Sequence, residues 1–118
     1  MLDVRTIFRP FRLKISRRAP VELAVTLENR GPGKALFSFD LSCDRGLSFD
    51  KGGFRNSESA TLGDLGPGRK VERVFYVHAK PVTRQGSYEF NLRAMEHYQS
   101  YAMVQGEVKK KFSLIVEE

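Results

Sequence analysis

The sequence predicts an all-β protein, an immunoglobulin-like two-sheet antiparallel sandwich of about seven strands. Apolar and polar residues alternate with a period of two in short segments, which is the pattern of strands that bury one face. Clusters of Gly, Pro, Asn and Asp separate these segments at short spacing, as turns do in sandwiches. No segment of helical length repeats apolar residues at a spacing of three and four.

Length and composition indicate one domain over residues 1–118. A chain of 118 residues has the usual size of a domain and is long enough to bury one core. Hydrophobic residues make up 41% and charged residues 29%, an ordinary globular balance. We therefore expect the chain to fold by itself.

The strands predicted in the first half rest on alternation. The segment 11–15 places Phe11, Leu13 and Ile15 on one face. The segment 21–28 has the cleanest pattern, and 34–43 repeats it. The inward residues of these two strands are expected to be Val21, Leu23, Val25, Leu27, Ala35, Phe37, Phe39, Leu41 and Cys43, with Ser38, Asp40 and Ser42 facing out.

The strands predicted in the second half are less regular. Leu47 and Phe49 indicate a short edge strand, and 57–62 a further short one. Both faces of 71–79 are rather apolar, so this strand should be central or covered on both sides. Tyr88, Phe90, Leu92 and Ala94 alternate inward, and 107–117 closes the chain, with Lys110 at an inward position where its stem can snorkel.

The net charge of +6 is placed unevenly. Residues 1–18 carry six Arg and Lys against the single acid Asp3. Such an excess favours an anionic partner, or it keeps a solvated strand edge from aggregating. If the partner is a nucleic acid or another polyanion, the candidate residues are Arg12, Lys14, Arg17 and Arg18, with Phe8, Phe11 or Tyr98 as stacking candidates.

No pattern of catalytic or metal-binding residues stands out. Cys43 is the only cysteine, which excludes an intrachain disulfide and is typical of a small buried hydrophobe. Two histidines supply no metal-ligand spacing, and the glycine-rich turns at 31–34 and 66–70 lack the spacing of a P-loop. We expect a protein without enzymatic activity, metal or cofactor.

No apolar run has the length of a signal peptide or a membrane span. This predicts a cytoplasmic location if the chain is full length.

Three elements of the sequence resemble one family. They are a strand that ends in Asn29 before a glycine turn, the Leu65-Gly66-Pro67-Gly68 turn that opens a strand, and the Gly86-Ser87-Tyr88 start of an alternating strand. Together they are similar to the CARDB family, the cell-adhesion-related domains of bacteria and archaea. The resemblance covers residues 21–94 and implies an immunoglobulin-like sandwich in a surface or accessory protein.

In an immunoglobulin-like topology three of the connections lie at one end of the sandwich. That end would present four basic residues beside aromatic ones, a mixture enriched at protein interfaces. We predict that the chain is a protein-binding or assembly module, whose partner is another protein or another domain. The alternative is that Tyr98 and Tyr101 only prolong their strands and pack together. The candidate partner-binding residues are Arg30, Lys34, Arg69, Lys70, His97, Tyr98 and Tyr101, with Met103 nearby.

Overall fold

The computed structural model describes residues 2–118, which form nine strands and one short 3₁₀ turn at Ile15–Arg17. Within these residues no helix is long and apolar enough to cross a membrane. The strands are β1 (Leu2–Arg9), β2 (Arg12–Lys14), β3 (Val21–Asn29), β4 (Ala35–Cys43), β5 (Leu47–Ser48), β6 (Ser57–Leu65), β7 (Lys70–Ala79), β8 (Gly86–His97) and β9 (Val104–Glu117).

The strands form two sheets that pack face to face, so the predicted all-β sandwich is confirmed. One sheet has the order β1-β3-β7-β5 and the other the order β2-β9-β8-β4-β6. All neighbours pair antiparallel except β2, which runs parallel to the end of β9. The prediction of an antiparallel sandwich is therefore wrong for this one pair.

The N-terminal segment differs most from the prediction. Residues 2–9 form a full strand that the sequence interpretation missed, and the predicted strand 11–15 shortens to the three residues of β2. Of Phe11, Leu13 and Ile15 only Leu13 is fully buried; Phe11 is 78% exposed, and Ile15 in the 3₁₀ turn is partly buried against the core. Since β1 pairs with β3 and β2 pairs with β9, the segment contributes a strand to each sheet.

The core lies between the sheets and confirms most of the predicted inward residues. Val21, Leu23, Val25 and Leu27 of β3 are fully buried, as are the phenylalanines of β4 and β8, Phe37, Phe39 and Phe90. An aromatic cluster joins the sheets: the ring centroid of Phe8 lies 5.2 Å from that of Phe90 and 5.6 Å from that of Phe112. Such pairs add specific geometry to the burial of apolar area.

Three predictions about strand faces have a mixed outcome. The central position of β7 is confirmed, because it lies between β3 and β5. Its outer face is nevertheless open, with Val74 and Tyr76 exposed. Lys110 is half-buried, as expected of a snorkelling lysine. Ser38 lies on the outer face of its sheet but is buried there beside His97 of β8, whose Nε2 lies 2.6 Å from the Ser38 hydroxyl.

A tyrosine near the start of β8 ties the preceding loop to the sandwich. The Tyr88 hydroxyl donates a hydrogen bond to the Arg84 carbonyl at 2.7 Å and accepts one from the Arg84 N–H at 3.0 Å. A tyrosine that bonds back to the backbone a few residues upstream recurs in immunoglobulin-like sandwiches, where it is called the tyrosine corner. This contact supports the immunoglobulin-like topology, which stays a prediction at that level of detail.

Candidate partner-binding site

Three loops meet at one end of the sandwich, and Asn29 joins two of them. The side chain of Asn29 is almost fully buried. Its Nδ2 donates to the carbonyls of Gly33 at 2.9 Å and Leu65 at 2.8 Å, and its Oδ1 accepts the Gly31 N–H. Its backbone also exchanges hydrogen bonds with the β6–β7 loop. The β3–β4 and β6–β7 loops are therefore held together by one buried amide.

The third loop is the β8–β9 turn, residues 98–103, which is closed by its own hydrogen bonds. The Tyr98 N–H donates to the Met103 carbonyl at 2.8 Å, and the Met103 N–H donates to the Ser100 carbonyl at 3.0 Å. Gln99 has a φ of 64°, in the left-handed region that non-glycine residues seldom adopt. The turn is compact and specifically shaped.

Tyr101 anchors this turn across the outer face of the five-stranded sheet. Its hydroxyl accepts the N–H of Gly63 on β6 at 2.9 Å, and its ring meets the His97 ring edge-on at 5.1 Å. His97 is only 4% exposed, and its Nε2 lies 2.6 Å from the Ser38 hydroxyl. The expectation that His97 contributes to the surface is therefore wrong, because Tyr101 covers it.

The turn and the first residue of β9 expose four large apolar or aromatic side chains, which we call the turn patch: Tyr98, Tyr101, Met103 and Val104. Their exposed fractions are 52%, 39%, 54% and 46%. The sequence interpretation did not include Val104. It also did not anticipate that Tyr101 is both anchored and partly exposed, since a contact with a residue 38 positions away leaves no local signal.

The basic residues at this end include two that pair with carboxylates. The Arg30 guanidinium lies 3.3 Å from the Asp3 carboxylate and 3.4 Å from that of Glu28, and the Lys34 ammonium lies 3.7 Å from the Asp64 carboxylate. Exposed pairs of this kind contribute little stability. Arg69 and Lys70 are exposed beside them.

The polyanion candidates lie at the opposite end of the sandwich. Arg12 pairs with the Glu117 carboxylate at 2.8 Å, which holds the pKa of Glu117 below its usual value. Lys14 and Arg18 line a cleft, and Arg17 lines a neighbouring groove. Phe8 is wrong as a stacking candidate, because its ring packs against Phe90.

Cys43 has the character of a structural thiol. Burial raises its pKa to about 11, against a smaller lowering by the Asn56 amide. The thiol is therefore protonated at neutral pH and is a poor nucleophile. Among residues 2–118 no group of three or more His, Cys, Asp or Glu is placed to hold a metal ion.

Known structures with this architecture differ widely in sequence. No family model and no curated protein matches the chain. Solved structures do. They include MyfA, the major subunit of Myf fimbriae from Yersinia enterocolitica, in a self-complemented form in complex with galactose, at 16% identity and a TM-score of 0.57 over 98% of this chain and 99% of that one. BslA, a bacterial hydrophobin, is similar at 11% identity and a TM-score of 0.54 over 99% and 95% of the two chains.

A third similar structure is a much larger protein. It is the Pseudomonas fluorescens alkylpurine DNA glycosylase AlkC, bound to DNA that contains an abasic site analog, with 13% identity and a TM-score of 0.54. The match covers 99% of this chain but only 30% of the glycosylase. At such low identity these three similarities show the sandwich fold alone.

The two tyrosines of the turn should differ in their effect on stability. Tyr101→Ser removes both the ring contact with His97 and the acceptor for the Gly63 N–H, so we expect a loss of about 2 kcal/mol in the free energy of unfolding. Tyr98→Ser should change it by less than about 0.5 kcal/mol, as surface substitutions usually do. Chemical denaturation of the two single variants measures both values. Equal losses would contradict the separate roles assigned to them.

Proposed function

We propose that this chain is a non-enzymatic protein-binding module that forms an assembly with another protein, and that the turn patch makes the contact. The observation that carries the proposal is the exposure of four large apolar or aromatic side chains on one short turn and the strand residue that follows it. A contiguous exposed apolar patch on a soluble domain is typical of a site that another protein covers. Tyr and Met are also enriched in protein interfaces.

The anchoring of the turn supports the same function. The Tyr101 hydroxyl is hydrogen-bonded to the Gly63 N–H, and the turn is closed by its own backbone hydrogen bonds. The turn therefore has little conformational freedom to lose on binding. A preorganised site gains affinity by avoiding that ordering cost. Rigid Tyr side chains supply contact area at low entropic cost.

The charges around the turn patch indicate the character of the partner. Arg69 and Lys70 are exposed at this end, and Arg30 and Lys34 have only exposed carboxylates as partners. Asp3, Glu28 and Asp64 stand beside these cations, so this end carries charges of both signs and favours a partner whose contact is mainly apolar. The paired charges contribute selectivity and rate of association more than affinity.

Two of the similar structures are compatible with this proposal. MyfA is the major subunit of Myf fimbriae and BslA is a bacterial hydrophobin, so a sandwich of this architecture occurs in a subunit of a larger assembly. A shared fold does not transfer a function, and the turn patch remains the argument for this chain. Membership of the CARDB family likewise stays a prediction.

Site-specific photo-crosslinking in cells of the source organism tests the proposal. A photoreactive phenylalanine analogue at position 98 or 103 should yield one discrete adduct with another protein. The matched control is position 113, an exposed serine on the same strand β9 but far from the turn. We expect adducts at 98 and 103 and none at 113. Equal yields at all three positions, or no adduct at 98 and 103, would contradict the proposed function.

A further inference from the structure

The excess positive charge of the chain is concentrated at the end opposite the turn patch. This basic end consists of residues 9–20, 44–56, 80–85 and 117–118, which are the connections at this end with the short strands β2 and β5, the last residues of β1 and β9, and the C-terminal residue. These segments hold ten Lys and Arg against four Asp and Glu, while the rest of the chain holds ten of each. The basic end therefore carries the whole net charge of +6.

A cleft of about 720 Å³ opens at the basic end. It is lined by four cationic side chains, Lys14, Arg18, Lys51 and Lys80, together with His78 and an apolar floor that includes Leu13, but by no carboxylate. Among the described residues none of these four cations forms an ion pair within 4.0 Å. A concave site with converging cations and no acid selects an anionic group.

Three apolar side chains are exposed around the same end. Phe54 is 87% exposed, Phe11 78% and Val82 72%, the highest values among the exposed large hydrophobic residues of the structure. They lie on three different connections, 51–56, 10–11 and 80–85, all of which belong to the basic end. Because all three connections lie at the same end of the sandwich, one partner surface at this end can cover all three side chains.

Two of these connections are held in shape by hydrogen bonds. The Asp50 carboxylate accepts the N–H groups of Phe54 at 2.9 Å and Arg55 at 2.8 Å, and the Arg55 bond in particular holds the pKa of Asp50 below its usual value. The Thr83 hydroxyl accepts the Lys80 N–H at 2.7 Å and also bonds to the Gly46 carbonyl. The loops that carry Phe54 and Val82 are therefore presented rigidly.

The shape of the molecule places all of these features on one small face. The domain measures 47 × 23 × 19 Å, so the ends of its long axis have a cross-section of about 23 × 19 Å. A flat partner that touches one end can meet all three connections and the mouth of the cleft together.

We propose that the basic end docks on the surface of an anionic phospholipid bilayer. The cleft cations hold the phosphate of a headgroup, and Phe11, Phe54 and Val82 enter the interface between headgroups and acyl chains. Lys and Arg near an anionic membrane surface contribute attraction, and apolar side chains contribute by burial in the interface.

The observations favour a bilayer over a nucleic acid. A single strand is bound by aromatic side chains that stack on its bases along a basic groove. Val82 has no flat face for stacking, no Phe, Tyr or Trp lines the cleft, and the neighbouring basic groove is lined by a single aromatic side chain, Phe11. A bilayer interface accommodates aliphatic and aromatic side chains alike.

Vesicle co-sedimentation tests the proposal. Vesicles of phosphatidylcholine with 30 mol% phosphatidylglycerol should bind the chain, and pure phosphatidylcholine vesicles should not. Replacing three lysines of the cleft with Gln, K14Q/K51Q/K80Q, should lower the partition coefficient on the order of 100-fold, because each cation near the surface contributes about 1 kcal/mol, roughly a fivefold factor. The matched control K109Q/K110Q/K111Q removes the same charge from the middle of β9, where Lys109 and Lys111 are exposed and Lys110 is half-buried, and should bind within about threefold of the native chain.

The contribution of the apolar side chains and the binding of competing ligands are tested in parallel. F11S/F54S should weaken vesicle binding on the order of tenfold or more at unchanged charge, since it removes two interfacial side chains. A single-stranded oligonucleotide and inorganic phosphate are the competing probes. Equal losses in both lysine variants, an unaffected F11S/F54S variant, no binding to anionic vesicles, or binding to the oligonucleotide or phosphate without binding to vesicles would each overturn the proposal.

Discussion

Replacing Phe90 with Ala should lower the free energy of unfolding by about 3–5 kcal/mol, the usual cost of removing a buried aromatic side chain. Phe90 is fully buried on β8, and its ring stacks on that of Phe112 at a centroid distance of 5.4 Å. It also meets Phe8 at 5.2 Å and Phe49 at 6.1 Å, which belong to the facing sheet and its β5–β6 connection. The substitution therefore opens a cavity where the two sheets are joined. Equilibrium denaturation measures the loss.

The control for this prediction is Phe11→Ala, which removes the same side chain from an exposed position. It should change the free energy of unfolding by less than about 0.5 kcal/mol. A loss at Phe90 no larger than the loss at Phe11 would mean that the aromatic cluster does not join the sheets.

Asn29→Ala should destabilise the protein by about 2–4 kcal/mol, which is large for a polar side chain. The substitution removes three hydrogen bonds and leaves the buried Leu65 carbonyl without its amide donor. Because the same side chain joins the β3–β4 and β6–β7 loops, amide exchange at Gly31 should also accelerate. Denaturation and hydrogen exchange measure the two effects.

Two further variants test whether the loss of stability is specific to the buried amide of Asn29. Asn29→Asp keeps the size of the side chain but directs a carboxylate at two carbonyls, so it should be at least as destabilising as the alanine variant. Asn91→Ala removes an exposed amide from β8 and should change stability by less than about 0.5 kcal/mol. A loss at position 29 equal to that at position 91 would contradict the joining role of Asn29.

The sequence predicts the core strands well because one face of each is buried. The alternation in β3, β4 and β8 follows directly from the period of two, and a shift by one residue would turn every apolar side chain to the solvent. In β1 the pattern is obscured, because Ile7 is exposed on the outer face while Thr6 takes an inward register position beside Val25. A strand at a sheet edge can place an apolar residue outward and a polar residue inward at little cost in stability, so its sequence pattern is weaker.

The candidate site is less predictable because it depends on contacts between distant residues. The topology predicts that the three loops meet at one end of the sandwich. The burial of His97, however, depends on a bulge between Glu96 and His97 and on the path of the following turn. Gly63, with a φ of 74°, is the one local signal, since a glycine inside a strand often marks a bulge or a close approach. Nothing near Tyr101 in the sequence indicates that its hydroxyl reaches Gly63.

Backbone NMR relaxation of the free protein tests most directly whether the β8–β9 turn is a preformed binding platform. The hydrogen bonds within the turn and the anchor from Tyr101 to Gly63 predict order parameters for residues 98–103 close to those of the strands, about 0.8 or higher. Values below about 0.6 across the turn would show a flexible loop and would contradict the account of the turn patch as a preorganised protein-binding site.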